Sequence, residues 1–580
     1  MSPALVPFTA HRMNGARSLW LNRAALQEIG EADLDEARFV SRFAYGVRDT
    51  NIFSGVEFDE QDAQGLLAER YGGLGVGQHG GGARVGNLGR FQIKGLGRNP
   101  LAGPSDGTRG QEAHGFGGLC MVDAIGEAIN SELCHRVLPL GATRCYGLLE
   151  SGPTTAYYPQ RTDAERSAGA LIVREISLRP GHFIRAMQFQ DTPAGVLSMG
   201  TDVTRTREMC RSLSAFVGGH REFVAYVGNF LAACANQFAF ARLWRLNHGS
   251  ISPSNIGADG RWLDLMGTSF LEPGMNYTPA PHVIPFLDEA GAIKNIASEW
   301  VLSFSKFCQA RLNPAPLCDY YDRAFEDALT AHVPAFFGLP RPGSDPRTAC
   351  ALLELQRAVT SAVTTGLQLT DRLPYPTAVR DPGLELAESL FRSLRVPGVA
   401  PPALASCFRK VVDAGFATPR GKTMPRWFFE ARAAMACLKR LHFALVFCRG
   451  RLIGEGSVAV LSGAPKAIGR MIDEWIARMD WVFPPDWSTD SITLFQSESV
   501  KLTLRSDRHV ELRQGPAVQS FHAADGMSEL RAVWEGLDES ELTLPGHYGY
   551  PAIPAFSFRR GIDSMLDMAA LLAREEQARV

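Results

Sequence analysis

The sequence lacks three features that mark common special classes of protein: a strong net charge, paired cysteine motifs and a long uninterrupted apolar run. Its 580 residues carry 59 lysines and arginines against 61 aspartates and glutamates, which gives a formal net charge of −2. A chain this neutral is not a general binder of nucleic acids or membrane surfaces through bulk electrostatics. We therefore expect neither nucleic acid nor membrane among its partners.

The 11 cysteines are scattered along the chain, and none forms a C-x-x-C pair. This odd count and irregular spacing argue against a disulfide framework and against a cysteine zinc site. The longest apolar stretch, Phe223–Trp244, is interrupted by polar residues, so it predicts a buried core helix and not a membrane span. The first residues show no secretory signal pattern. We expect a cytoplasmic protein with reduced thiols.

The composition is that of a globular protein, with 45% hydrophobic and 21% charged residues. Disorder is thereby excluded as the dominant state, and the length predicts about two to four domains. Residues 1–190 show strand patterns around one helix pattern at Met121–Val137, residues 191–450 are mainly helical, and residues 451–580 add alternating strands. The pattern predicts an α+β fold with boundaries near these positions.

A glycine cluster is the first candidate for chemistry, since 17 of the 47 residues in the segment 72–118 are glycine. Its loop 77–84 can wrap phosphate oxygens with backbone N–H groups and the guanidinium of Arg84. We assign nucleotide contacts to Gly80, Gly82 and Arg84. A set of tight turns without a ligand is the alternative interpretation.

Lys94 ends a strand pattern at residues 90–94, from which its ammonium group can reach a polyphosphate. Glu127 lies near the apolar face of the helix pattern, where an unpaired carboxylate is costly. Pairing with Lys94 removes this cost and orients the lysine toward phosphate. A solvent-exposed glutamate and a local pair with Arg136 are the alternatives.

The segment His248–Asn255 reads H-G-S-I-S-P-S-N, and Asp264 follows nine residues later. A turn at Ala258–Gly260 and a strand at Arg261–Asp264 predict a hairpin. An amide oxygen and a carboxylate brought together in this way suit Mg²⁺, which would bridge nucleotide phosphates. Asn255 and Asp264 are therefore the candidate metal ligands.

Two arginines complete the set of candidate residues. Arg174 lies on the predicted strand Ala170–Ile176, and Arg179 follows it. Their two guanidinium groups can clamp a phosphate through paired hydrogen bonds. Exposed salt bridges are the alternative for both side chains.

Taken in order, these pieces resemble the selenoprotein O family over roughly residues 70–275. The glycine-rich loop ending at Arg84 looks like the family's glycine-rich stretch, and Lys94 begins a K-G-x-G sequence like that of the family. The family's D-G pair is matched by Asp106 and Gly107. Its helix glutamate, five residues before an S-E dipeptide, is matched by Glu127.

The later pieces carry the resemblance further along the chain. Arg174 and Arg179 precede a G-H-F sequence, as the family's arginine pair precedes a similar one, although the spacing is shorter here. Asn255 and Asp264 are nine residues apart, like the family's metal ligands. The resemblance adds Asp106 and Gly107 to the nucleotide-binding residues, which also include Lys94 and the two arginines.

The resemblance implies a protein-kinase-like bilobal fold, with a sheet-rich N-lobe at residues 1–190, a helical C-lobe at residues 191–450 and a C-terminal α+β extension at residues 451–580. It implies ATP and Mg²⁺ as cofactors, with the nucleotide bound in a flipped orientation. The implied activity is transfer of AMP to hydroxyl side chains of a protein acceptor. Lys94 and Glu127 take catalytic positions.

The chain departs from the family at two places where a general base is expected. Ser250 replaces the aspartate of ordinary kinases, and Ser254 replaces the aspartate proposed as proton acceptor in selenoprotein O, so Ser254 is the third candidate catalytic position. Loss of a positioned base costs on the order of 10²- to 10⁴-fold in rate. Three interpretations follow, each in keeping with a site that works mainly by positioning and charge neutralisation.

In the first interpretation the enzyme uses another base, for which His248 and Asp259 are poor candidates. In the second, the acceptor is a nucleophile that needs no side-chain base, such as a carboxylate or amide oxygen of a peptide or small acid in a biosynthetic pathway, activated by adenylation or phosphorylation. In the third, the chain binds ATP without turnover, as a pseudoenzyme or a scaffold with a vestigial pocket.

A basic segment at residues 409–451 has ten lysines and arginines against two acidic residues. It also contains several aromatic residues, a combination that occurs in nucleic-acid or acidic-peptide sites. Cationic faces of amphipathic helices explain it better, so the segment does not change the expectation of no nucleic-acid partner.

Overall fold

An eight-stranded antiparallel sheet dominates the N-terminal part of the computed structural model. The structure describes residues 3–48, 53, 55–76, 79–102, 116–157, 166–189, 197–271, 284–339, 345–364, 403–414, 428–429, 432–433, 436, 447, 449–482, 490–496, 500–522 and 527–536. Within these ranges the fold is α+β with mainly antiparallel pairing, as the sequence predicts.

The large sheet has the strand order β2-β7-β8-β6-β5-β4-β1-β3. Its strands are β1 (Leu5–Met13), β2 (Arg17–Leu21), β3 (Tyr45–Gly46), β4 (Phe58–Glu69), β5 (Val85–Leu88), β6 (Phe91–Lys94), β7 (Cys145–Tyr157) and β8 (Arg166–Glu175). Short helices α1 (Arg23–Glu28) and α2 (Glu36–Phe43) join the first strands. The strands predicted at residues 90–94 and 170–176 are both present.

Alternation along β6 decides which side chains face the candidate site. Phe91 and Ile93 join a core cluster with the aromatic side chains of α2 on one face of the sheet. Because successive side chains of a strand point to opposite faces, Gln92 and Lys94 point to the other face. Both polar side chains are buried there.

Helix α3 (Met121–Val137) covers that second face and has the bounds that its sequence pattern predicts. Fifteen of its 17 residues are buried, which a helix with a single apolar face would not achieve. The sheet covers one side of α3, and two helices from the C-terminal part, α10 and α11, cover another. These are α10 (Arg449–Leu461) and α11 (Pro465–Val482).

The described residues of the middle part of the chain are mainly helical, as predicted. Its helices are α4 (Met199–Val217), α5 (His220–Trp244), α6 (Phe286–Phe307), α7 (Ala315–Phe336), α8 (Pro346–Thr364) and α9 (Ala403–Asp413), with a two-stranded ribbon of β9 (Leu246–Asn247) and β10 (Ser269–Phe270) after α5. Among the described residues, α5 alone is long and apolar enough to cross a membrane by length and composition, but 56% of its most apolar window is buried inside the fold. It packs against α7 as a core helix.

The C-terminal part carries a second antiparallel sheet, in the order β11-β12-β13-β14. Its elements are β11 (Ser491–Gln496), β12 (Val500–Arg505), β13 (His509–Gln514), β14 (Ala517–His522) and α12 (Met527–Glu535). β11, β12 and β13 confirm the alternating strands expected in this part of the chain, whereas β14 was not expected. One cluster of buried apolar side chains contains Leu133 of α3, Phe238 of α5, Trp475 of α11 and Leu502 of β12.

Candidate functional site

The candidate site lies where β6, β8 and α3 meet the segment that follows β9. β6 ends at Lys94, and α3 presents Glu127 from its middle turn. Across the β6–β8 pair, Gln92 lies directly opposite Arg174. Opposed residues of an antiparallel pair share a face, so Arg174 points to the same face as Gln92 and Lys94.

Lys94 is the centre of a hydrogen-bonded cluster. Its Nζ donates to Glu127 Oε2 over 2.7 Å and to Asp264 Oδ1, and it lies 3.4 Å from Met266 Sδ. The expected pairing of Lys94 with Glu127 is therefore present, and the alternative pair with Arg136 does not account for this carboxylate. The side chains of Lys94 and Glu127 are each only 3% exposed.

Arg174 gives Glu127 a second cationic partner. Its Nη1 donates to Glu127 Oε1, and its Nε donates to Gln92 Oε1 over 2.8 Å. Arg174 Nη1 also lies 3.6 Å from Asp264 Oδ1. Burial lowers the pKa of Arg174, but Glu127 and Asp264 outweigh this effect and raise it above its usual value. Two cations and two carboxylates thus neutralise one another in a buried space.

Asp264 occupies the exposed edge of this cluster. Burial alone would raise the pKa of its carboxyl group, but Lys94 and Arg174 lower the pKa well below its usual range. The side chain is 30% exposed, whereas those of Lys94 and Arg174 are 3% and 6% exposed. Asp264 has a φ of 61°, an uncommon left-handed conformation for a residue other than glycine. It is therefore an ionised carboxylate held at the solvent edge.

Arg179 belongs to a second buried network behind the cluster. Its Nη1 donates to the carbonyl of Ser254 over 2.8 Å, and its Nη2 lies 3.4 Å from Gln92 Oε1 and 3.5 Å from Glu69 Oε2. Burial raises the pKa of Glu69, but Arg179 and His182 reverse this and lower it to about 2. Arg174 and Arg179 therefore both contact Gln92. Both side chains are buried, so the alternative interpretation of exposed salt bridges is wrong for each.

The loop with the predicted metal-binding asparagine is held mainly by its own polar groups. Asn255 Nδ2 donates to the carbonyl of Ser250 over 2.7 Å, and Asn255 Oδ1 accepts from Ser254 Oγ over 3.1 Å. Ser254 Oγ also lies 2.7 Å from Ser252 Oγ. The predicted hairpin is reduced to a turn and one antiparallel bridge between Ile256 and Trp262, so Arg261–Asp264 is not a full strand.

His248 has a structural role in this loop. Its Nδ1 accepts from the N–H of Ser250 over 3.3 Å, which places the proton on Nε2, 3.1 Å from the carbonyl of Asn255. Burial lowers the pKa of His248 to about 4. With both ring nitrogens engaged, His248 is not available as a base. Asp259, the other alternative base, is bonded to Arg261 over 2.7 Å.

Glu289 of α6 fixes the start of the loop. Its carboxylate accepts the backbone N–H groups of His248 over 3.0 Å and Gly249 over 2.8 Å. Burial raises the pKa of Glu289 to about 8, although these two bonds oppose the shift. Gly249 has a φ of 78°, and a Cβ there would lie 2.2 Å from the carbonyl oxygen of Gly267. Only glycine fits this approach between the loop and the segment after Asp264.

The described part of the glycine-rich loop lies between β4 and β5, where the N–H of Gly82 donates to the carbonyl of Glu69 over 2.9 Å. Arg84 Nη1 donates to the carbonyl of Gly118 over 2.8 Å. A Cβ on Gly80 would contact Phe189, and one on Gly82 would lie 2.2 Å from Val85 Cγ2. These two glycines therefore also serve close packing. Residues 77–78, Asp106 and Gly107 lie outside the described residues.

The donor set fits a divalent cation. The Asp264 carboxylate and the Asn255 amide oxygen are hard oxygen ligands of the kind Mg²⁺ takes, and Mg²⁺ commonly uses only one or two protein ligands beside water and phosphate. Asn255 and Leu263 are joined by a backbone bond of 3.2 Å, next to Asp264. Within the described ranges no group of three histidine, cysteine, aspartate or glutamate side chains can hold a metal by itself.

Several residues of the site were not singled out from the sequence. Gln92 has a usable signal, because it lies two residues before Lys94 on a strand and so shares its face. Glu69 and His182 have none, since their contacts with Arg179 join distant segments. An open cleft of about 600 Å³ elsewhere contains no member of the site, being lined by residues of α4, α5 and α6 such as Arg211, His220 and Phe307.

Comparison of the sequence with models of known protein families finds no match. Comparison with curated proteins also finds none. The assignment of a function therefore depends on the geometry of the cluster around Lys94 and on the sequence resemblance.

Proposed function

We propose that the chain binds ATP with Mg²⁺ and transfers AMP, or activates an acceptor as an adenylate or phosphate, on a protein or peptide in the cytoplasm. The observation that carries the proposal is the buried cluster of Lys94, Glu127, Arg174 and Asp264. Phosphoryl and nucleotidyl transfer depend on positioned positive charge and a metal. Lys94 and Arg174 supply the positive charge, and Asp264 is a candidate ligand for the metal.

The contact of Lys94 with Glu127 has the form used by protein kinases. In those enzymes a lysine on a sheet strand contacts the nucleotide phosphates and is oriented by a glutamate on the following helix. Here β6 carries the lysine and α3, the next described helix, carries the glutamate. This order supports a kinase-like bilobal arrangement, in which the sheet of residues 1–190 forms one lobe and the helices of residues 191–450 form the other.

Asn255 and Asp264 would hold Mg²⁺ in this proposal. When bound, the ion would neutralise phosphate charge next to Lys94. Metal binding requires that Asp264 exchange part of its contact with Lys94 for the cation. The exposure of its side chain makes this exchange accessible, and the lysine would keep its bond to Glu127 and gain a donor for a phosphate.

The chemistry of the acceptor follows from the loop. His248 and Asp259 are engaged in bonds, and Ser250 and Ser254 are hydroxyls. A serine does not accept a proton near neutral pH as a carboxylate does. The described loop therefore favours an acceptor oxygen that is already deprotonated, such as a carboxylate, or slow transfer to a hydroxyl group.

A nucleotide-binding pseudoenzyme is the second candidate function. The same replacement of both expected aspartates by Ser250 and Ser254 favours it, because binding needs the cations and the metal ligands but no base. Such a protein would be stabilised by ATP with Mg²⁺ and would release neither pyrophosphate nor ADP.

The test uses purified protein, Mg²⁺ and ATP labelled at the α- or γ-phosphate, with cell lysate as the source of acceptors. Retention of the α-label on protein supports AMP transfer, and retention of the γ-label alone supports kinase chemistry. Release of pyrophosphate or ADP without retained label indicates transient activation of a substrate. Thermal stabilisation without turnover supports the pseudoenzyme. If ATP with Mg²⁺ does not stabilise the protein, the proposed nucleotide site is wrong.

A further inference from the structure

Helix α10, in the C-terminal part of the chain, contacts two segments of the candidate site: the one that follows Asp264 and the helix α3 that carries Glu127. At its first residue, the backbone N–H of Arg449 donates to Ser269 Oγ over 2.9 Å, and Arg449 Nε donates to the carbonyl of Met266 over 3.3 Å. Met266 follows Asp264 by two residues, and its sulfur contacts Lys94. Arg449 therefore holds the segment that carries the candidate metal ligand.

The next turn of α10 packs against the helix that carries Glu127. A Cβ on Gly126 would lie 2.9 Å from Leu452 Cδ2, so the two helices approach closely here and an added methyl group would make the end of the Leu452 side chain shift. One turn later, Gly456 brings the backbone of α10 close to Val122 and Ile125 of α3. The contact thus runs along the N-terminal half of α3, beside Glu127.

Arg449 also links the two contacts by charge. Burial raises the pKa of Asp123 on α3, and Arg449 is the strongest of the nearby charges that lower it. Arg84, Lys94 and Glu127 are the other charged groups near this carboxyl group. One side chain therefore attracts α3 and bonds the segment after Asp264.

Helix α10 is itself firmly anchored. Glu455 accepts from Arg451 Nε over 2.9 Å and from Trp475 Nε1 of α11 over 2.6 Å. Helix α11 in turn is bonded to the large sheet, because Trp20 Nε1 donates to Asp473 Oδ1 over 2.8 Å. The pair of helices is thus a support of fixed position and not a loose tail.

We propose that α10 is a positioning element of the nucleotide site, with Leu452 and Arg449 as its positioning residues. Leu452 holds α3 so that Glu127 reaches Lys94, and Arg449 holds the segment 264–269 so that Asp264 reaches the same ammonium group. The inference rests on the proposed function, since it concerns the geometry of that ATP site. Neither residue touches the nucleotide.

The position of α3 matters because the hydrogen bond between Lys94 and Glu127 acts only over a short range. Lys94 and Glu127 are 2.7 Å apart, and a hydrogen bond weakens steeply when the donor and acceptor separate by a further ångström. Packed helices have discrete arrangements because interiors are close-packed. Removal of the Leu452 side chain therefore permits α3 to shift by about the width of a methyl group, which is enough to lose the contact.

The test measures the dissociation constant of ATP with Mg²⁺ by calorimetry in a set of full-length variants. Leu452→Ala and Arg449→Met should each weaken binding by about tenfold or more. Leu502→Ala is the matched control, because this leucine is also buried but lies in the small C-terminal sheet. It should lower the free energy of unfolding while the dissociation constant remains that of the wild type.

A size exchange separates positioning from general destabilisation. Gly126→Ala alone should weaken binding, since its methyl group collides with Leu452, whereas the double variant with Leu452→Ala has room for it and should recover most of the affinity. Additive losses in the double variant, or equal losses in Leu502→Ala and Leu452→Ala, overturn the inference. Absence of ATP binding by the wild type overturns the proposed function, and the inference with it.

Discussion

Lys94 and Glu127 form a hydrogen bond of 2.7 Å although each side chain is only 3% exposed. A buried charged pair needs further partners to offset its desolvation. Arg174 and Asp264 provide them, so that the four charges balance. Packing alone does not account for a buried charged lysine. Buried groups of charges arranged in this way are typical of functional sites.

The first prediction concerns Lys94→Met. The variant should bind ATP with Mg²⁺ about 10- to 100-fold more weakly, because it loses charge-assisted hydrogen bonds to phosphate. It should still fold, since Arg174 remains bonded to Glu127. Thermal shift against ATP concentration measures the affinity. Lys294→Met, at an exposed pair with Asp322, is the matched control and should bind like the wild type.

If Lys94→Met and Lys294→Met respond equally to ATP, Lys94 does not contact the nucleotide. Circular dichroism of both variants checks that the fold is retained, because an unfolded variant would also show weaker ATP binding.

Asp264→Asn should shift the Mg²⁺ dependence of ATP binding. The lost carboxylate removes the charged member of the candidate metal site, and the Mg²⁺ concentration at half-maximal binding should rise by more than about tenfold. Titration of Mg²⁺ at fixed ATP measures this midpoint. Asp259→Asn, five residues away in an exposed pair with Arg261, should leave it unchanged. Equal midpoints for wild type and Asp264→Asn would remove Asp264 from the metal site.

Local pattern was sufficient to predict the helix and the strand that carry Glu127 and Lys94, although the strand predicted at Arg261–Asp264 is not formed. The apolar spacing from Met121 to Val137 predicts the helix with its observed bounds, and alternation at residues 90–94 predicts the strand. The pair of Lys94 and Glu127 was also predictable, because a carboxylate on an apolar helix face needs a cation. Each of these inferences uses residues close in sequence or one strong energetic requirement.

Contacts between distant segments were not predictable in the same way. Arg174 and Arg179 carry no sequence signal for their shared partner Gln92, because that contact depends on the register of two strands. Arg449 lies in a basic segment that suggests only amphipathic helices, yet it bonds to the segment after Asp264. Packing of the whole chain decides such contacts, and one sequence does not encode them in a local pattern.

The third prediction is a stability change with pH caused by His248. Its folded pKa is about 4, below the reference value of 6.5, so between these values the unfolded chain binds the extra proton. Stability from this group is present above pH 6.5 and is lost as the pH falls toward 4, by about 3 kcal/mol in total. Urea unfolding at several pH values measures the slope.

The quantity to compare is the free energy of unfolding of the wild type minus that of His248→Gln, at each pH. Glu289, with its pKa raised to about 8, acts in the opposite direction between its reference value of 4.5 and 8, because its folded form retains a proton there. Because both proteins contain Glu289, its contribution cancels in this difference. The difference in free energy of unfolding should shrink on acidification from pH 6.5. A flat difference for His248→Gln contradicts the assignment.

The last prediction tests the missing base at Ser254. If the acceptor is a hydroxyl group, Ser254→Asp supplies a carboxylate at the position that the family resemblance gives to the proton acceptor, and retention of α-label should rise by up to about 10²-fold. Ser254→Ala is the control, since it removes the hydroxyl without adding a base. If the acceptor is a carboxylate, no proton has to be removed, and the new negative charge repels the acceptor and slows labelling. An unchanged rate in both variants shows that Ser254 lies outside the reaction path, and its bonds to Asn255 and Arg179 are then structural.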